Sequence, residues 1–64
     1  MKRRRLLRYL EEHGCHVVRE GGRHTIVENL ADRRRSPVPR HPEVDTYTMR
    51  DICKQLDIPI PPER

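Results

Sequence analysis

Phenylalanine and tryptophan are absent from this 64-residue chain, and its only aromatic residues are Tyr9 and Tyr47. A sheet that reads single-stranded bases by stacking needs aromatic platforms, so recognition of that kind is excluded. Long apolar runs are also missing. The longest are pairs such as Leu6-Leu7 and Val17-Val18, so no stretch reads as a membrane span or a signal-peptide core. The sequence therefore predicts a cytoplasmic protein with no membrane partner. Residues 1–64 form one domain, which buries only ~60% of the surface its unfolded chain exposes. That length holds no Rossmann unit or barrel, and no small-molecule cofactor is predicted.

Cysteine is sparse. Cys15 and Cys53 lie far apart, form no C-x-x-C pair, and read as ordinary semi-buried thiols of a reducing compartment. His13, Cys15 and His16 are close in sequence, but a fourth ligand would have to come from Cys53 or His41 by accident of folding. No metal site is predicted.

Charge is abundant: 38% of residues are charged, 14 basic against 10 acidic, for a net +4. The excess is uneven. Residues 1–40 carry 11 basic and 5 acidic side chains, and residues 41–64 carry 3 and 5. Twelve of the 14 basic residues are arginine, which stays charged and binds phosphate bidentately, so the N-terminal portion favours a polyanion. The competing reading of the same charge is a solvated surface that keeps a small protein soluble.

Lys2 to His13 reads as a helix, with Leu6, Leu7 and Leu10 on one stripe and Gly14 as its stop. Arg3, Arg4 and Arg5 stand at the positive end of its dipole, a small cost that hints at phosphate attraction there. Cys15 to Glu20 and Arg23 to Leu30 flank Gly21-Gly22 and read as a hairpin whose glycines take positive φ. Centred on those glycines, the hairpin pairs Glu20 with Arg23, Arg19 with His24, Val18 with Thr25 and Val17 with Ile26. The buried face stays open, because Val17 and Ile26 favour one parity and Val18 and Val27 the other. Arg35 to Arg40 reads as an edge strand, with Pro37 and Pro39 blocking its outer side. Thr48-Met49-Arg50-Asp51 resembles a capping box. Met49, Ile52, Cys53 and Leu56 share one core-facing helical stripe, and Asp57 and Pro59 end the helix. Residues 59–64 read as an extended or disordered tail.

The order is α-β-β-β-α, an α+β fold. With Gly22-Arg23-His24 at the first hairpin, the sequence resembles the HicA-type mRNA interferase toxins of toxin–antitoxin pairs. The segments that carry the resemblance are Lys2 to Gly14, Val18 to His24, Val38-Pro39-Arg40-His41, and Thr48 through Ile58. Their order and spacing in so short a chain are more specific than any one of them. The resemblance implies a double-stranded-RNA-binding-like fold, a three-stranded antiparallel sheet with two helices on one face. It also implies ribosome-independent RNA cleavage by a single histidine, and a cognate HicB-type antitoxin that covers the site. His24 stands where the family has its catalytic histidine. The sequence departs from the family at Arg23, where a small residue is usual, at the aliphatic Thr25 to Val27, where aromatics are usual, and at Tyr47, where glycine is usual.

RNA can be cut without metal when the 2′-OH attacks the adjacent phosphorus. The reaction needs a base, a cation for the phosphorane charge and an acid for the leaving oxygen. Histidine titrates near ~6.5, so His24 suits the base role at physiological pH. Arg19, Arg23 and Gly22 are the supporting residues, because a guanidinium holds phosphate and a glycine lets it approach. His41 and His16 are candidates for the second proton carrier, with water as the fallback. His13, near a helix C-terminus, reads as a dipole contact instead. Lys2, Arg3, Arg4, Arg5, Arg33, Arg34, Arg35 and Arg40 are the predicted RNA phosphate contacts. Binding should then follow backbone and shape, with weak sequence preference. A non-catalytic RNA-binding module of the same fold is the alternative. A DNA-binding arm fits less well, because no recognition helix with exposed base-reading residues is evident.

Overall fold

A computed structural model describes residues 1–62. The elements are α1 (Arg3–Glu12), β1 (Cys15–Glu20), β2 (His24–Asn29), β3 (Arg35–Pro39) and α2 (Thr46–Leu56). The strands form one antiparallel sheet in the order β1-β2-β3. Both helices cover the same face. Leu6 and Leu10 from α1 and Met49, Ile52, Cys53 and Leu56 from α2 close over Cys15, Val27 and Val38 of the sheet. Each of these nine side chains is at most 2% exposed, so truncating one such leucine to alanine costs about 2–5 kcal/mol, a large share of so small a domain's stability.

The helix ends follow local chemistry. Gly14 ends α1 in the left-handed region at φ 80°, where a Cβ would be strained. Helix α2 starts earlier than the sequence suggested. Asp45 is its N-cap and accepts the Thr48 N–H at 2.7 Å, so Thr48 lies inside the first turn and does not cap it. Asp57 closes α2 at φ 57°, and the Ile58 N–H reaches the Cys53 carbonyl at 3.0 Å. Beyond it, the Tyr9 hydroxyl donates to the Pro59 carbonyl at 2.7 Å, and Pro61 is buried, so the tail through Pro62 runs back along α1. The expected extended or disordered tail includes residues 63–64, which lie outside the described residues.

The hairpin register differs from expectation. Glu20 pairs with Thr25 and Arg19 with Ile26, and the Gly21 N–H donates to the His24 carbonyl at 2.9 Å. The turn therefore centres on Gly22-Arg23, one residue further along than Gly21-Gly22. Neither glycine has a positive φ. Gly21 fits the turn for another reason: a Cβ there would stand 3.0 Å from the His24 carbonyl oxygen, a tight contact that the backbone would have to relax. A bulge at Val18 then shifts the register, so that Val17 pairs with Val27. That extra residue explains the conflicting parity of the valines. Thr25, Val27, Asn29, Ser36 and Val38 face the helices, whereas His24, Ile26, Glu28, Arg35 and Pro37 stand on the open face. Strand β3 is an edge, as its prolines suggested.

Candidate nucleic-acid interface and active site

His24 opens β2, is exposed, and lies opposite Pro39 of β3. Proline has no N–H to exchange, so this is a close, non-hydrogen-bonded pair that brings the imidazole beside the Pro39 ring. Arg19 is not its cross-strand partner. Because Arg19 pairs with Ile26, two residues from His24, it shares the open face with His24 on the diagonal. Diagonal neighbours in a sheet are about 7–8 Å apart. Arg23 and Gly22 form the adjoining turn, and Gly22 has open space around its Cα.

His24 and His41 line one open cleft of about 400 Å³, with Pro37 and Pro39 between the sheet edge and α2. His16 is not part of it. It pairs with Glu28, four residues along β2 from His24, about 13 Å away along the strand. His13 is a helix-end contact, as expected, with Nδ1 2.9 Å from the Tyr9 carbonyl and its ring tilted against Tyr9.

The basic residues divide into two groups. Lys2, Arg3, Arg4 and Arg40 line a second cleft of about 560 Å³, with Pro42 and Glu43. Lys2 and Arg4 have no side-chain partner among the described residues, whereas Arg40 pairs with Glu20 at 3.0 Å. Arg5 lies further round α1, against the tail prolines. Arg33, Arg34 and Arg35 sit in the β2–β3 turn and the start of β3, and each is committed to an acid. Arg33 and Arg35 grip Glu28 at 3.1 and 2.7 Å, and Arg34 pairs with Asp32 at 3.2 Å. Arg33 adopts a left-handed φ of 65°, a strained backbone for a non-glycine residue, in the turn that carries its guanidinium to Glu28. Hydrogen bonds from Arg35 and then Arg33 hold the Glu28 carboxyl below the usual carboxylate range. The sequence missed this pairing because Glu28 reads as one more surface acid until the β2–β3 register sets it beside Arg35.

Arg3 is also not a plain surface cation. Its Nε–H donates to the Pro39 carbonyl at 2.9 Å, and its Nη2–H donates to the Thr25 hydroxyl at 2.6 Å. Cys15 and Cys53 are more buried than expected, at 1% and 0% exposure, and burial pushes both thiols up. Among the described residues, no group of three His, Cys, Asp or Glu side chains converges as metal ligands would. No described helix is long and apolar enough to cross a membrane.

The fold and site together define a small α+β domain whose exposed histidine stands among arginines at one end of an antiparallel sheet. Residues 3–58 match the family model described as the HicA toxin of bacterial toxin–antitoxin, and the chain belongs to that family. Membership implies an antitoxin as its partner. Comparisons with curated proteins and with solved structures each give no match.

Proposed function

We propose that this protein is the toxin of its pair and acts as a ribosome-independent, metal-independent endoribonuclease on mRNA, with His24 as the general base. His24 takes the proton of a ribose 2′-OH, and the oxygen attacks the adjacent phosphorus. The O2′–P bond forms as the bond to the 5′-oxygen of the next nucleotide breaks. Arg19 and Arg23 stabilise the negative charge on the non-bridging oxygens. His41 returns a proton to the leaving oxygen, leaving a cyclic phosphate and a free 5′-hydroxyl. Lys2, Arg4 and Arg40 hold flanking phosphates, while Gly22 leaves room for the scissile one. A HicB-type antitoxin with an acidic surface covers the His24–Arg19 face in the cytoplasm.

The observation that carries this reading is His24 exposed at the basic end of the sheet, in one cleft with His41. Incubation of the purified protein with ribosome-free RNA, with and without chelator, is the test. Cleavage unaffected by chelator, with cyclic-phosphate or 3′-phosphate ends, is expected. Salt-sensitive binding without any cleavage would transfer the assignment to a non-catalytic RNA-binding module.

A further inference from the structure

We infer that Arg3 is a positioning residue for His24 and not a phosphate ligand, a proposal that rests on the ribonuclease reading above. Both directions of its guanidinium fork point inward. One donates to Pro39, the cross-strand partner of His24, and the other to Thr25, its chain neighbour. The contact continues through the sheet. The fully buried Thr25 hydroxyl donates to Glu20 Oε1 at 2.6 Å, and the same oxygen accepts Arg40 Nη2 at 3.0 Å. One side chain on the first residue of α1 therefore joins the helix to all three strands, directly beneath the position from which His24 projects.

The sheet needs such a tie at that point. His24–Pro39 is a non-hydrogen-bonded pair at the end of the β2–β3 ladder, so the Pro39 carbonyl points away from β2 and no ladder hydrogen bond holds it. Arg3 holds the Pro39 carbonyl and Thr25 from the helix side, leaving the imidazole on the open face. A buried threonine in a central strand is costly unless its hydroxyl is satisfied, and Arg3 and Glu20 satisfy it on both counts. Lysine is no substitute, because a single ammonium on a flexible stem cannot hold two divergent acceptors in a fixed plane. The inward contacts also account for an arginine at the positive end of the helix dipole without invoking RNA.

The test compares Arg3→Lys, Arg3→Ala and Thr25→Val with wild type in the full chain, with Arg4→Ala as a phosphate-contact comparison. Three readouts are needed: single-turnover cleavage of one RNA, RNA affinity across a salt series, and the His24 imidazole resonances by NMR. Arg3→Lys and Thr25→Val should each slow cleavage about 10–100-fold, as a displaced reacting group does. Their RNA affinity and salt slope should match wild type, and the His24 resonances should shift. The Arg3→Lys/Thr25→Val double variant should be no slower than the slower single variant, because both act through one contact. Arg4→Ala should instead weaken binding and reduce the salt slope by about 0.7–0.9. Rescue by lysine, with Arg3→Ala lowering affinity and salt slope, would overturn the proposal in favour of phosphate binding. Unmoved His24 resonances and a normal rate per folded molecule would overturn it in favour of simple stabilisation. If the wild type cleaves no RNA, the ribonuclease reading fails, while the His24 resonances of Arg3→Lys still decide whether Arg3 positions the ring.

Discussion

Arg19 stands diagonal to His24, opposite Ile26, and both side chains share the open face of the sheet. A direct cross-strand contact would let the two side chains occupy each other. Diagonal neighbours lie about 7–8 Å apart, a spacing that would admit a phosphate in the proposed mechanism, with His24 as base and Arg19 as cation. Replacing Arg19 with alanine should therefore slow cleavage about 10²–10³-fold without abolishing it. Lysine at this position should recover part of the loss. A rate equal to wild type for Arg19→Ala would remove Arg19 from the mechanism.

The two arginine runs should separate in a salt titration. Each phosphate contact contributes about 0.7–0.9 to the slope of log affinity against log salt. Substitution of Lys2 and Arg4 should flatten the slope measurably. Arg33→Ala, Arg34→Ala and Arg35→Ala should change it less, because Arg33 and Arg35 share the Glu28 carboxylate and Arg34 pairs with Asp32, which offsets two of their three charges. Equal effects from both groups would mean that RNA displaces the acids.

Acid stability should report Glu28. Its folded carboxyl titrates below its ordinary range because Arg35 and Arg33 hydrogen-bond the ionised form. The Thr48 N–H acts likewise on Asp45. A depressed folded pKa gives stability that is present above the unfolded value, ~4.3 for Glu and ~3.9 for Asp, and lost as pH falls through the folded value. Glu28→Gln should thus lower the melting temperature at neutral pH and converge with wild type in strong acid. A constant difference at every pH would contradict the linkage.

His41 and His16 should behave differently. His41→Ala should slow cleavage about 10²–10⁴-fold if it is the proton donor, and a leaving group that departs without protonation should restore the rate. His16→Ala should cleave normally, since His16 lies beside Glu28 and not beside His24. The reverse pattern would assign the acid to His16 and discard the shared cleft.

Element order and the α2 core stripe were legible in the sequence because 3.6-residue periodicity and Gly14 or Asp57 stops are local signals. The hairpin register was not. A bulge at Val18 inverts strand parity without any compositional mark, and Gly21-Gly22 drew the turn centre one residue too early. The start of α2 was missed because Thr48 and Asp51 imitate a capping box, while Asp45 caps by accepting the Thr48 N–H. His24 stood out through its place after Gly22, but the roles of Arg3, Arg33 and Arg35 depend on contacts between distant residues. A run of arginines looks the same in sequence whether it faces solvent, phosphate or a carboxylate.

The most direct test is the cleavage rate of His24→Ala, measured on protein whose melting temperature and backbone spectrum match wild type. The exposed imidazole buries little surface, so the melting temperature should stay within a few degrees of wild type. Loss of the general base should cost at least about 10²–10⁴ in rate, with RNA affinity retained. A well-folded His24→Ala protein that cuts RNA at the wild-type rate would contradict catalysis by His24.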